Sequence, residues 1–166
     1  MQVLSEPDIA HLLDRLVVDQ LPGGRGLNAW RALLTAHATL MRQLERDLEL
    51  ETGLALADFD VLAQLAVAGG ELRMSELADR ALISRSGMTR RVARLVDQDL
   101  VRRANADADA RSVVIALTDG GVARLKETWP VHARGISKLF VAQLDDKELE
   151  VLESALNKVT LDCNFG

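Results

Sequence analysis

Apolar residues recur three and four positions apart through most of the chain, which is the spacing of amphipathic helices. In the first half, this spacing predicts helices over residues 8–20, 28–52 and 56–67, with Asn28 as an N-cap and Gly53 and Gly69-Gly70 as stops. In the second half, it predicts one helix from Thr118 toward Gln143, bent near Pro130, and a last helix starting at Asp145-Asp146. The sequence therefore predicts helices at both ends of the chain around a compact centre.

The centre of the chain follows a different pattern. A short helix begins at Ser75, which is placed as its N-cap, and Leu82-Ile83 forms a turn before Ser84 caps a second helix to about Gln98. Two strands follow, a short one at residues 101–104 and a β-branched, apolar one at residues 112–117, separated by small polar residues suited to a turn. Thr118 then caps the next helix, although Gly120-Gly121 makes a weak start. This order predicts a mainly α fold with a small β-hairpin wing, namely a winged helix-turn-helix between terminal helices.

The charge distribution separates this central segment from its flanks. Residues 73–118 hold nine Arg against six acidic residues, a net charge of +3, whereas residues 1–72 carry −6 and residues 119–166 carry −2. A basic segment between acidic ones is typical of a local DNA-contact surface. The acidic pI of about 5.2 argues against a protein that coats DNA indiscriminately.

The amino-acid composition narrows the classes of protein to which the chain can belong. The 48% hydrophobic content is that of a globular protein, and the 3% aromatic content suits helix-on-helix packing by Leu, Val and Ala. One cysteine, Cys163, allows neither an internal disulfide nor a zinc cluster, so a cytoplasmic protein without metal or cofactor is expected. We find no signal peptide, no run long enough to span a membrane and no catalytic motif, so no enzyme is predicted.

The second helix of the central pair is predicted to read DNA. At 100° per residue, Met88, Val92, Leu95 and Val96 share a buried arc, and Ser86, Arg90 and Arg94 lie opposite it. Arginine can bond guanine O6 and N7, and serine can contact a base or phosphate. The predicted DNA-contacting residues of this helix are Ser84, Ser86, Thr89, Arg90, Arg91 and Arg94, of which Thr89 and Arg91 are placed on phosphates. Arg85 points nearer the buried side and is assigned a structural role. The alternative for the predicted DNA-contacting residues is that they form an ordinary solvent-exposed helix face.

The hairpin tip suggests a second contact. Asp109 and Arg111 are two residues apart and can form a carboxylate–guanidinium pair that aims Arg111 at the minor groove. An ordinary solvated turn is the alternative.

These segments resemble the MarR family of bacterial transcriptional regulators. The resemblance rests on residues 74–80 (MSELADR), 83–96 (ISRSGMTRRVARLV), 100–103 (LVRR), 109–111 (DAR) and 115–121 (IALTDGG), in matching order, and covers about residues 28–163. It implies a homodimer that binds a pseudo-palindromic site in double-stranded DNA, usually as a repressor, and that a small phenolic or aromatic ligand can release. The family's wing often carries a basic residue where Ala110 stands here. The chain lacks tyrosine and has its only cysteine near the C-terminus, which departs from the hydroperoxide-sensing branch.

The resemblance also predicts the organisation of the chain. Residues 1–52 and 119–166 are assigned to dimerisation, because their helices carry more apolar surface than one subunit can bury, and residues 53–118 to the DNA-binding lobe. A ligand cleft is placed at Trp30 and His37, seven residues apart on one helix face; the alternative is that both pack in the dimer core. The other function that the sequence allows is a protein-interaction module built on the same fold, in which the basic face no longer binds DNA.

Overall fold

A computed structural model describes residues 25–105 and 113–163, which form six α-helices and one small antiparallel sheet. The helices are α1 (Arg25–Thr52), α2 (Leu56–Val67), α3 (Met74–Arg80), α4 (Arg85–Asp97), α5 (Asp119–Leu139) and α6 (Asp146–Cys163), with a 3-10 turn at Val141–Gln143. The strands are β1 (Glu71–Arg73), β2 (Val101–Asn105) and β3 (Val113–Leu117). The chain divides within α1 into two units, Met1–Arg42 and Gln43–Gly166, and the lobe lies in the second. The predicted mainly α fold with a β-hairpin is confirmed.

The hydrophobic core of the second unit lies where α2, α3, α4 and the sheet meet. Each helix contributes the apolar stripe that its periodicity predicts, and the fully buried side chains include Leu62, Leu65, Leu77, Met88, Leu95 and Ile115. Burying such side chains is the main favourable term that holds a helix against its neighbours. The orientation of α4 is therefore fixed by one side of the helix, which leaves the other side to solvent.

The sheet has the strand order β1-β3-β2, and both pairs are antiparallel. Ile115 of β3 lies opposite Leu72 of β1 and Arg103 of β2. The pattern of the sequence did not predict β1. It has only three residues, and its pairing partner lies more than forty residues along the chain, so no local periodicity marks it.

Side-chain caps fix the starts of α4 and α5 as the sequence predicts. The Ser84 hydroxyl accepts a hydrogen bond from the Gly87 amide at 3.2 Å. The Thr118 hydroxyl accepts one from the Gly121 amide at 2.9 Å and donates to the Asp99 carbonyl at 2.5 Å. Such caps satisfy amides at a helix start that have no partner within the helix.

Three boundaries differ from the sequence prediction. The chain is already helical at Arg25, so Asn28 lies inside α1 rather than at its N-cap. The N-cap of α3 is Arg73, without a side-chain hydrogen bond, and Ser75 lies in the first turn, because β1 continues directly into the helix. The helix after Thr118 ends at Leu139, before the 3-10 turn. Pro130 lies within α5, and the bend proposed there stays a prediction.

Large apolar side chains remain exposed on the helices outside the lobe. On α1 they are Trp30, Leu33, Leu34, Met41 and Leu50, and on α6 they are Val151, Val159 and Leu161. No helix in the described part of the chain combines the length and hydrophobicity that a membrane span requires. The predicted helix at 8–20 and the tip of the hairpin lie outside the described residues.

Candidate nucleic-acid interface

Helix α4 presents the face that its sequence predicts. Met88, Val92 and Leu95 are completely buried, and Val96 is half-buried at the edge of the core. On the other side, Ser86, Thr89, Arg90 and Arg94 are exposed. A helix held by one apolar face, with hydroxyls and guanidinium groups on the other, can enter the major groove of DNA.

The start of α4 is shaped to approach a phosphate. The Ser84 and Ser86 hydroxyl oxygens lie 3.4 Å apart beside the first-turn amides. A Cβ on Gly87 would lie 2.9 Å from Cγ2 of Ile83 and 3.0 Å from the Ser84 hydroxyl oxygen, so glycine lets the cap close. Amides at a helix start attract anions, and both serines can add hydrogen bonds to the same anion.

The turn between α3 and α4 carries local strain. Leu82 has a φ of 53°, a left-handed conformation that favours glycine or asparagine at the end of a helix. The Ile83 amide bonds the Ala78 carbonyl at 3.0 Å and the Leu82 amide bonds the Asp79 carbonyl at 3.2 Å, which closes the turn tightly. The Leu82 side chain is 93% exposed beside the start of α4. The turn thereby fixes the angle at which α4 leaves α3.

Arg91 does not lie free on the edge of the helix. Its Nη1 atom lies 2.5 Å from Oδ1 of Asp58 on α2, and Nη2 of Arg94 lies 3.4 Å from the same oxygen. The Arg91 side chain is 21% exposed, against 59% for Arg94. Sequence reasoning missed Asp58, since it lies 33 residues before Arg91 and no motif joins them. The phosphate contact assigned to Arg91 stays a prediction.

The structural role assigned to Arg85 is wrong, because its side chain is exposed. The buried arc of α4 begins only at Met88, so the first turn has no core to pack against. Arg85 is instead one of several exposed arginines of the lobe. The others are Arg73, Arg80, Arg90, Arg94, Arg102 and Arg103. The two on β2 were not singled out by the sequence, although the net charge of the segment depends on them.

The predicted wing contacts, Asp109 and Arg111, lie outside the described residues. The strands that flank them are described, and Asn105 pairs with Val113 at the last described rung of the ladder. The strands β2 and β3 therefore pair as far as this rung, and the Asp109–Arg111 pair remains a prediction.

The residues proposed for a ligand cleft are exposed on α1. Trp30 is 55% exposed and His37 is exposed, so neither is packed in a core of its own chain. A groove of about 480 Å³ lies elsewhere, between α2 and α5. Its lining is mainly apolar and consists of Ala63, Ala66, Val67, Leu125, Lys126 and Trp129.

An aromatic cluster adjoins that groove. The rings of Phe59 and His132 have centroids 4.5 Å apart, and those of Phe59 and Trp129 are 6.1 Å apart. Partial burial lowers the pKa of His132, and the charge of Asp60 opposes this effect. The neutral imidazole therefore packs against the rings without the cost of burying a charge.

The fold and the basic face of α4 define a winged helix-turn-helix DNA-binding protein. The profile of the MarR family matches residues 52–112. The regulator TcaR of Staphylococcus aureus (strain Newman) is 33% identical over 122 residues, which are 72% of this chain and 79% of TcaR. The chain belongs to the MarR family of transcriptional regulators, and its relatives are regulators rather than enzymes.

Solved structures agree over most of the chain. The MarR family regulator AbsC of Streptomyces coelicolor superposes with a TM-score of 0.77 and 25% identity, covering 100% of both chains. Sco3205 of the same organism, a MarR family regulator crystallised with DNA, gives a TM-score of 0.75 and 30% identity, over 81% of this chain and 88% of its own.

Proposed function

We propose that the chain acts as a homodimeric repressor that binds a pseudo-palindromic operator through α4. The observation that carries the proposal is the exposed pair Arg90 and Arg94, held opposite a fully buried face of the same helix. Arg90, Arg94 and Ser86 reach base edges in the major groove, and Ser84 and Thr89 contact phosphates. The Sco3205 structure supports DNA binding by this fold, since that relative was crystallised with DNA.

The proposed dimer follows from exposed apolar surface. Val151, Val159 and Leu161 of α6 are each more than half exposed, as is Trp30 of α1. Apolar side chains that are this exposed along two long helices favour burial against a second copy of the chain. Two lobes then address two half-sites about one DNA turn apart, roughly 34 Å. A monomer at micromolar concentration in light scattering would contradict the dimer.

The operator is tested by footprinting on DNA upstream of the chain's own gene and its neighbours. We expect a protected region with inverted half-sites, and binding that weakens steeply as salt increases. Transcription from that promoter in a purified system should fall when the protein is added. Protection without symmetry would contradict the dimeric operator, increased transcription would contradict repression, and absence of any protected region would favour a protein-interaction module instead.

We further propose that a small aromatic acid or phenol releases the protein from DNA. The α2–α5 groove supports this proposal by its size, by the Trp129 indole on which a ring can stack, and by the Lys126 ammonium, which can pair with a carboxylate or phenolate. The predicted cleft at Trp30 and His37 is the competing location, since both side chains are exposed.

The two locations can be separated because the chain has only two tryptophans, Trp30 and Trp129. With 4-hydroxybenzoate as the probe, we expect ligand-induced quenching to persist in Trp30→Phe and to vanish in Trp129→Phe, whose remaining indole lies outside the groove. The reverse result would assign the ligand to the α1 cleft. Quenching that is lost in neither variant, or DNA binding that the bound probe leaves unchanged, would contradict the groove as an effector site.

A further inference from the structure

One carboxylate of α2 reaches two arginines of the DNA-facing helix. Oδ1 of Asp58 accepts from Arg91 Nη1 at 2.5 Å and from Arg94 Nη2 at 3.4 Å. Asp58 is 8% exposed, although it is acidic, and it lies in the first turn of α2, where an anion is favoured by the helix dipole. The three charges therefore form a connected group at the edge of α4.

The arginines of α4 differ in how closely they are paired with the Asp58 carboxylate. Arg91 is mostly covered, bound to the carboxylate at short range, and its Nε atom is buried without a hydrogen-bond partner. Arg94 is largely exposed and only touches the carboxylate. In the described part of the chain, no acidic side chain lies within 4.0 Å of the Arg90 guanidinium. A phosphate approaching Arg91 would have to compete with a carboxylate that also repels it.

We propose that Asp58 is a positioning residue. Its carboxylate keeps the Arg91 guanidinium from contacting DNA and orients the Arg94 guanidinium toward it. Withholding one cation lowers the affinity for any DNA sequence, because non-specific binding depends on the number of phosphates neutralised. Holding Arg94 by one oxygen restricts its guanidinium while leaving its outer edge available for a base. Asp58 thus increases the preference for the operator over other DNA. The inference rests on the proposed role of α4 in binding the operator.

The first test is Asp58→Asn, which keeps the size and an acceptor oxygen but removes the charge. Binding to an operator duplex and to a random duplex is measured between 50 and 200 mM salt. One additional phosphate contact steepens the slope of log Kobs against log salt by about 0.9, so the gain in affinity is about 3.5-fold larger at 50 mM than at 200 mM. We expect this gain for random DNA, and a reduced operator preference. Combining Asp58→Asn with Arg91→Gln should restore the original slope.

Asp60→Asn is the matched control, because it removes the same charge from the same helix two positions further on. Two positions are a rotation of about 200°, which turns Asp60 away from α4, and its charge acts on His132 instead. We expect no change of slope in this variant. An equal increase in both variants would mean a general charge effect and would overturn the proposal, as would an unchanged or shallower slope in Asp58→Asn.

Single arginine variants give a test that does not depend on the folding of Asp58→Asn. On the random duplex, Arg91→Gln should leave the salt slope unchanged, whereas Arg90→Gln, which removes an exposed guanidinium, should make it shallower by about 0.9. A shallower slope in Arg91→Gln would show that Arg91 binds phosphate and would overturn the inference. If the unaltered protein bound no DNA at all, the proposed function itself would be wrong. That result differs from a failure of the Asp58 proposal alone, in which the protein binds DNA but Arg91→Gln makes the salt slope shallower.

Discussion

Replacing Gly121 by alanine is expected to destabilise the lobe by about 3 kcal/mol or more. A Cβ at this position would lie 2.0 Å from the carbonyl oxygen of Leu100 and 3.1 Å from Cδ2 of Leu117. The oxygen belongs to the backbone that enters β2, so it can move only if the strand moves. The Thr118 cap also holds the Gly121 amide, so α5 cannot slide away without losing that bond.

Urea denaturation followed by circular dichroism, at one fixed protein concentration, measures this effect. Gly26→Ala is the matched control, since Gly26 also lies in a helix but a Cβ there would meet nothing within 4 Å. The control should be neutral or stabilised by up to about 1 kcal/mol, because alanine is the better helix former. Equal midpoints for the two variants would contradict the close approach of α5 to Leu100.

The sequence predicts the features whose cause is local. Ser84 and Thr118 were identified as caps because a hydroxyl before an apolar helical stripe has a nearby amide to accept from. The buried and exposed faces of α4 follow from rotation alone, once its apolar residues are known. The turn at Leu82 was located correctly, although its left-handed backbone is unusual for leucine.

The features that were missed depend on residues far apart in the chain. Gly120-Gly121 reads locally as a weak helix start, yet both glycines allow close contact with the carbonyls of Asp99 and Leu100. The short strand β1 exists because β3 pairs with it. The assignment of Arg85 failed for a related reason, since an angle on a helical wheel says nothing about how far the core extends along the helix.

The same limit applies to the candidate interface. Rotation placed Arg90 and Arg94 on the exposed side of α4, as the structure has them, but it could not reveal the carboxylate of Asp58 beside Arg91 and Arg94. The electrostatic state of each arginine depends on that tertiary contact. Arg90 and Arg94 therefore remain the residues whose loss should most affect recognition of a base sequence.

Removing both side chains in the double variant Arg90→Ala/Arg94→Ala is expected to weaken operator binding by about 3 kcal/mol, which is over a hundredfold. A bidentate arginine–guanine contact contributes about 1–3 kcal/mol of discrimination, and the two exposed guanidinium groups are one helical turn apart. Binding to random DNA should fall much less, because those contacts go mainly to phosphates. Titration of labelled operator and random duplexes at one salt concentration measures both quantities.

The double variant Arg42→Ala/Arg46→Ala is the matched control, since it removes two exposed arginines with the same spacing from α1. It changes the net charge equally, so any effect of charge alone should appear in both proteins. We expect operator binding by the control to stay within a few-fold of the unaltered protein. If the two variants lost the same affinity, or if operator and random DNA weakened in parallel in the α4 variant, these arginines would act as general cations. The bases would then have to be read by another part of the lobe.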